Sequence, residues 1–272
     1  MKKNLLFLMS ALALCACTSQ GDKPSSKSLV LYYSQTSTTQ QVAKLLQFKT
    51  GADIDSIVCE QPYDGDFNQT IVRCQKEFAE NEAPVIQKLT RNVADYDTIY
   101  LGYPVWFGTY AQPIAGLIKQ VDLSGKVVIP FCTFGSGGLN TSTDKLKAAL
   151  PGAKLLPGYG VRSARVSAAS EEMDKFLIQI GVKPGQLPEL PSYSDKQPVT
   201  DADVEIFNAA CGSYPMPLGT PVEVCSRTLD NGTDYEFTVE TATPDGNKVR
   251  SRIYILVGKE EGATPEFIMA KR

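Results

Sequence analysis

The chain has 272 residues, with 27 Lys and Arg against 30 Asp and Glu, a net charge of −3 and no histidine. That balance argues against nucleic acid as a default partner. The missing imidazole removes His metal ligands and every Ser-His or Cys-His catalytic arrangement, so any chemistry must come mostly from a cofactor.

The chain opens with a targeting pattern over residues 1–17. Lys2 and Lys3 form a basic start, and an apolar stretch follows that is too short to span a bilayer. It ends in Leu14-Cys15-Ala16-Cys17, which resembles the bacterial lipobox. That resemblance implies cleavage before Cys17, acylation of Cys17, and a lipoprotein held on the exported side of a bacterial membrane. A plain secretory signal would read similarly. Residues 18–27 are polar, with Gly, Pro, Ser and Lys, and read as a tether. About 245 residues remain, enough for one large or two small domains.

Val30 to Tyr33 is an apolar and aromatic run that reads as a buried strand. Ser34, Gln35, Thr36, Ser37, Thr38 and Thr39 follow without a break, and then Val42, Ala43, Leu45 and Leu46 recur at helical spacing. A strand, a polar loop and a helix start make an anion site, because first-turn N–H groups lack intrahelical partners and the helix dipole favours negative charge there. The loop has no Lys or Arg and none of the glycines of a Walker or dinucleotide turn. What fits is one terminal phosphate held by neutral donors, as in a mononucleotide such as FMN. An ordinary polar helix cap would carry the same residues.

This segment resembles the flavodoxin signature at Val30, Leu31, Tyr32, Ser34, Thr39, Ala43 and Leu46. Ser37 departs from it, since the family usually has Gly or Ala there. The resemblance implies an α/β fold with a doubly wound five-stranded parallel sheet in the order 2-1-3-4-5. It also implies non-covalent FMN with its phosphate on residues 34–39. No segment suggests covalent flavin.

Downstream, residues 52–59 read as a second strand, and residues 62–68 as a loop. Residues 69–89 read as helical but broken near Asn81 and Pro84, as two helical pieces or a long excursion. Residues 95–102 read as a third strand. Tyr103, Pro104, Val105, Trp106, Phe107 and Gly108 form the next loop, which holds the only Trp of the chain. Open α/β sheets bind ligands at such strand ends, and an indole on a flavin ring adds ~1 kcal/mol beyond area burial. Residues 95–108 also resemble the flavin-contacting loop of flavodoxin-like proteins. Residues 126–133 read as a fourth strand. Thr133, Phe134, Gly135, Ser136, Gly137 and Gly138 lead into a third ligand-type loop, where glycines let backbone approach a ligand. A helix over 143–150, a fifth strand over 154–161 and an amphipathic helix over 168–180 complete a β-α alternation that calls for a parallel sheet covered on both faces. Right-handed crossovers put the three loops on one edge.

The flavodoxin-like part is thus expected over residues 28–183, followed by a Pro-rich linker over 184–200. Residues 201–272 read as a small α+β domain, loosely cystatin-like, with one helix against an antiparallel sheet of three or four strands. It carries no chemical constellation and suits packing, dimerisation or partner docking. Among the cysteines, Cys59 and Cys132 suit buried free thiols, and Cys211 and Cys225 are close enough in sequence to pair.

The reading that follows is a membrane-tethered FMN protein that transfers electrons to a redox partner protein or reduces a small acceptor. Two others stay open. One is an NAD(P)H-dependent quinone or FMN reductase on the same fold. The other is a flavin-free binding module that kept the fold.

Overall fold

The computed structural model describes residues 27–243 and 245–271. The targeting segment, Cys17 and nearly all of the tether lie outside the described residues. From the N-terminal side the elements are β1 (Ser28–Tyr32), α1 (Thr38–Thr50), β2 (Asp53–Ser56), α2 (Phe67–Ala79), β3 (Thr98–Trp106), β4 (Thr109–Tyr110), α3 (Gln112–Gln120), β5 (Val127–Phe134), α4 (Leu139–Ala149), β6 (Lys154–Leu155), β7 (Tyr159–Arg162) and α5 (Ala169–Gln179). The C-terminal part adds β8 (Gln197–Pro198), α6 (Asp201–Cys211), β9 (Thr220–Leu229), β10 (Gly232–Ala242), β11 (Lys248–Gly258) and β12 (Glu266–Lys271).

The first sheet is parallel in the order β2-β1-β3-β5, and β6 and β7 both pair with β5. Counting β6 and β7 as one interrupted strand gives the expected order 2-1-3-4-5. Alternation along the strands sorts the core into two layers. Val30, Tyr32, Tyr100, Ile129 and Phe131 face Val42, Ala43 and Leu46 of α1 and Met173, Phe176 and Leu177 of α5. Leu29, Leu31, Ile99, Leu101, Val128 and Cys132 face Ile114 and Leu117 of α3 and Leu146 of α4. Helices on both faces explain why these strands read as continuous apolar runs.

Four local expectations change or are decided. The segment 69–89 is one helix followed by an excursion, not two helical pieces. Asp66 and Gln69 form a capping box that starts α2 early. Asn81 then takes a positive φ of 51°, and Pro84 disfavours helix before it. The chain runs on extended and pairs Ile86 antiparallel with Cys59. The third strand extends past residue 102 to Trp106, because β5 pairs with Tyr103 and Pro104, and β4 folds back on Val105 and Trp106. The fifth strand splits at Pro157-Gly158. The fourth helix begins directly at Leu139, not Thr143, with Gly138 as its N-cap.

The second sheet is antiparallel, in the order β12-β11-β10-β9-β8. It has five strands, since the end of the Pro-rich segment supplies β8. Thr200 and Asp203 form a capping box for α6. Phe207 and Cys211 of α6 pack on Val224, Phe237, Val239, Ile253, Ile255 and Phe267. The alternation of Tyr235, Phe237 and Val239 puts the latter two fully inside. Among the described residues, no helix is long and apolar enough to cross a membrane.

Cys211 and Cys225 do not pair; they and Cys59, Cys74 and Cys132 are free and buried. Burial pushes the thiols of Cys59 and Cys74 up to about 11 and that of Cys211 to about 12. The thiolate is the reactive form, so these groups are protected twice over. Native protein lacking residues 1–26 will therefore react negligibly with a thiol-exchange reagent at pH 8. All five thiols will react after denaturation, which absorbance of the released thiolate measures.

Candidate functional site

The first loop leaves the sheet at Tyr33, whose N–H donates to the Gly102 carbonyl at 3.0 Å. The Ser34 hydroxyl accepts from Gln40 N at 3.2 Å, drawing the loop over the start of α1. Ser37 is the N-cap, in the left-handed region at φ 63°, and makes no side-chain cap bond. Among the described residues, the backbone N–H groups of Thr36, Ser37, Thr38 and Thr39 find no acceptor. The first turn of α1 carries no acidic side chain, so nothing on the helix itself answers its positive end. Thr36 and Ser37 are exposed, and Thr38 is half-buried, with its hydroxyl 3.4 Å from that of Thr36. These donors and hydroxyls form an open, neutral cradle.

Thr39 lies deeper. It is buried, and its hydroxyl stands 2.8 Å from the hydroxyl of buried Thr133. This bond ties the first loop to the end of β5. Gln35 makes a second tie. Its side-chain carbonyl accepts from the Tyr33 hydroxyl, and its amide donates to the Tyr63 carbonyl.

Trp106 is half-buried at the end of β3. Its indole meets Tyr33 edge-on (5.7 Å, 85°) and Tyr63 at 5.3 Å and 66°. Two hydroxyls in this cluster are held neutral. Burial raises Tyr33 well above the usual phenol range, and burial with the Glu77 hydrogen bond does the same for Tyr63. Phe107 and Gly108 both have positive φ, 50° and 72°, and form the tight turn to β4. The Phe107 ring is exposed and packs edge-on against Phe78 of α2.

In the third loop the Gly135 carbonyl accepts from Arg162 Nε at 2.8 Å, and the Ser136 carbonyl accepts from the N–H of Ala270 at 2.7 Å. A Cβ on Gly137 would lie 2.0 Å from the Ala270 carbonyl oxygen, so only glycine permits this approach. A Cβ on Gly138 would lie 2.8 Å from Cγ1 of Val105, so the second and third loops touch. A cleft of about 310 Å³ opens here, between Gly108, the third loop, Lys145 and Met269–Lys271.

The structure thus brings all three loops to one rim, at the carboxyl ends of β1, β3 and β5. Three of the expected residues stand behind that rim. Tyr103, Thr133 and Phe134 are buried, and Tyr103 and Phe134 belong to the core, with Phe134 also lining the cleft. Pro104 and Val105 are half-buried supports. Tyr33, Tyr63, Arg162 and Met269–Lys271 join this rim without any motif to mark them. Tyr33 and Tyr63 left a faint signal as aromatics beside polar loops. The others left none.

The family model described as Flavodoxin matches residues 27–178. The chain belongs to the flavodoxin family. A candidate flavoprotein from Bacteroides eggerthii is 30% identical with a TM-score of 0.50, over 58% of this chain and 100% of that one. One from Bacteroides uniformis is 28% identical with a TM-score of 0.50, over 55% and 98%. A Lactobacillus acidophilus flavoprotein solved in complex with FMN is 26% identical with a TM-score of 0.47, over 56% and 98%. The family match ends before α6, so the second sheet of this flavodoxin-family chain stands outside it.

Two outcomes test the loop. Ser37→Gly will stabilise the fold by up to about 1.5 kcal/mol. It removes a left-handed penalty of roughly 1–2 kcal/mol for a non-glycine residue against a glycine entropy cost of roughly 0.5–1 kcal/mol. Thr39→Val and Thr133→Val will each cost about 1–3 kcal/mol by orphaning a buried hydroxyl, while the double variant recovers most of the loss. Urea unfolding midpoints measure both.

Proposed function

We propose that this chain binds FMN non-covalently on that rim and passes its electrons to a redox partner or a small acceptor. The observation that carries the reading is the set of four unpartnered N–H groups at residues 36–39, on the same rim as the half-buried indole of Trp106. Family membership supports it. The donor set fits a phosphate monoester: backbone dipoles and hydroxyls at a helix start, with no cation to demand a polyphosphate and metal. Bound FMN supplies the one- and two-electron chemistry.

The residues of the chain have supporting roles in this reading. Thr36, Ser37 and Thr38 hold the phosphate, with Ser34 and Gln35 shaping the loop. Thr39 offers its N–H while its hydroxyl braces the loop against Thr133. Trp106 faces the ring, held at its angle by Tyr33 and Tyr63, and Phe107 and Gly108 form the outer lip. Gly135 to Gly138 bring backbone to the opposite side. The neutral phenols add no charge beside the ring.

We also propose that Cys17 is lipidated and anchors the protein on the exported side of a bacterial membrane. The short apolar stretch, the small residues before Cys17 and the polar tether support this. Several acyl chains anchor stably where one binds only marginally.

Titration of FMN with protein lacking residues 1–26 will quench flavin fluorescence at micromolar concentrations. Trp106→Ala will weaken binding by about 2–13-fold, the equivalent of 0.5–1.5 kcal/mol for a lost aromatic stack. An unquenched titration at micromolar FMN would leave a flavin-free module on this fold.

A further inference from the structure

The second sheet carries no reactive cluster, yet its last strand ends on the loop that completes the flavin rim. We propose that the C-terminal domain is a fixed cap on this rim, which admits small acceptors and keeps protein acceptors away from the ring. The inference rests on the FMN reading.

The cap is fastened at three places. Ala270 of β12 donates its N–H to the Ser136 carbonyl at 2.7 Å, and Gly137 and Ala270 pair as an isolated parallel bridge. Arg162, at the end of β7, donates from Nε to the Gly135 carbonyl at 2.8 Å and from Nη1 to the Phe267 carbonyl at 2.6 Å. Its guanidinium lies 4.0 Å from the centre of the Phe267 ring. One side chain thereby clamps the third loop and β12 together. Arg165 is buried and bonds Glu172 of α5 and Glu266 of β12, each at 2.8 Å. These anchors are spread over the glycine loop, the end of β7 and the turn and helix that follow it, and Met269 also packs on the flavodoxin-side core, which limits the cap's freedom to swing.

Size decides what such a cap admits. Met269, Ala270 and Lys271 form one wall of the 310 Å³ cleft, opposite Gly108 of the hairpin tip. That volume is at the lower end of small-ligand clefts, which run from about 300 to 1,000 Å³. A redox encounter between proteins needs open surface, up to roughly 600 Å² on each partner even at the weak end. β12 lines the cleft together with Gly108 and Gly137–Gly138, and so covers surface beside the proposed lip of the ring. A flat quinone-sized molecule fits the gap, and a protein face does not.

The test uses the full chain in mild detergent, with Arg165→Gln and Glu266→Lys as variants; neither residue touches the residues proposed to hold FMN. The first readout needs no flavin. Amide exchange at Ala270 will be slow in the unaltered chain and at least tenfold faster in both variants. The second readout uses protein loaded with FMN and reduced by one equivalent of dithionite. It is then mixed with benzoquinone, which takes two electrons and two protons to become hydroquinone, or with ferricytochrome c, which takes one electron per haem. The ratio of the benzoquinone rate to the cytochrome rate will fall at least tenfold in the variants, with FMN affinity changed less than threefold. Equally fast Ala270 exchange in all three proteins overturns the cap, whatever FMN does. An unchanged rate ratio in variants whose Ala270 is released overturns the selectivity. An unquenched FMN titration removes the flavin reading itself, and the selectivity falls with it.

Discussion

Three parallel strands that finish near one another are what the rest of this molecule depends on. Tyr32 of β1 sits beside Gly102, and Pro104 of β3 beside Thr133 of β5. Parallel pairing with right-handed crossovers leaves every following loop on the same edge. The polar turn, the aromatic hairpin and the glycine turn are therefore neighbours by topology. Side chains then fix their spacing. The Thr39–Thr133 hydroxyl pair joins the first turn to β5, the Gln35 bridge joins it to Tyr63, and Trp106 leans on both tyrosines.

The open cradle is kept open by packing elsewhere. A left-handed Ser37 costs roughly 1–2 kcal/mol. Val42 and Leu46 of the same helix are buried, and burying each stabilises by roughly 1.5–3 kcal/mol. The helix is thus held against the sheet with enough margin to retain a strained entrance. The N–H groups at that entrance are not closed by a side-chain cap. Strain at a ligand loop, balanced by a core that does not touch the ligand, is the expected pattern of a preorganised site.

The C-terminal sheet changes the character of this rim. In an isolated doubly wound domain the third loop would be free on its outer side. Here its carbonyls at Gly135 and Ser136 are both engaged, one by Arg162 and one by Ala270. A segment with no chemistry of its own thereby fixes the outer side of that loop, through backbone contacts and two arginines.

Much of the architecture was legible in the order of residues. Apolar runs alternating with helical periodicity specified a covered parallel sheet. The unbroken polar stretch from Ser34 to Thr39 marked the anion-type turn, and the lone Trp marked the second. These signals are local, because burial on two faces and helix amphipathicity repeat at fixed spacings. Other features came only with folding. The pause at Pro84 became an edge pairing with Cys59, the run through Trp106 became a hairpin, and Tyr103, Thr133 and Phe134 sank behind the rim. The tie from Gln35 to Tyr63 and the seat of Ala270 on Ser136 also belong to this class. Each of these two ends on a main-chain carbonyl. Every residue carries one, so neither composition nor periodicity distinguishes which carbonyl a distant donor will reach. That choice is made when the two sheets and their helices pack.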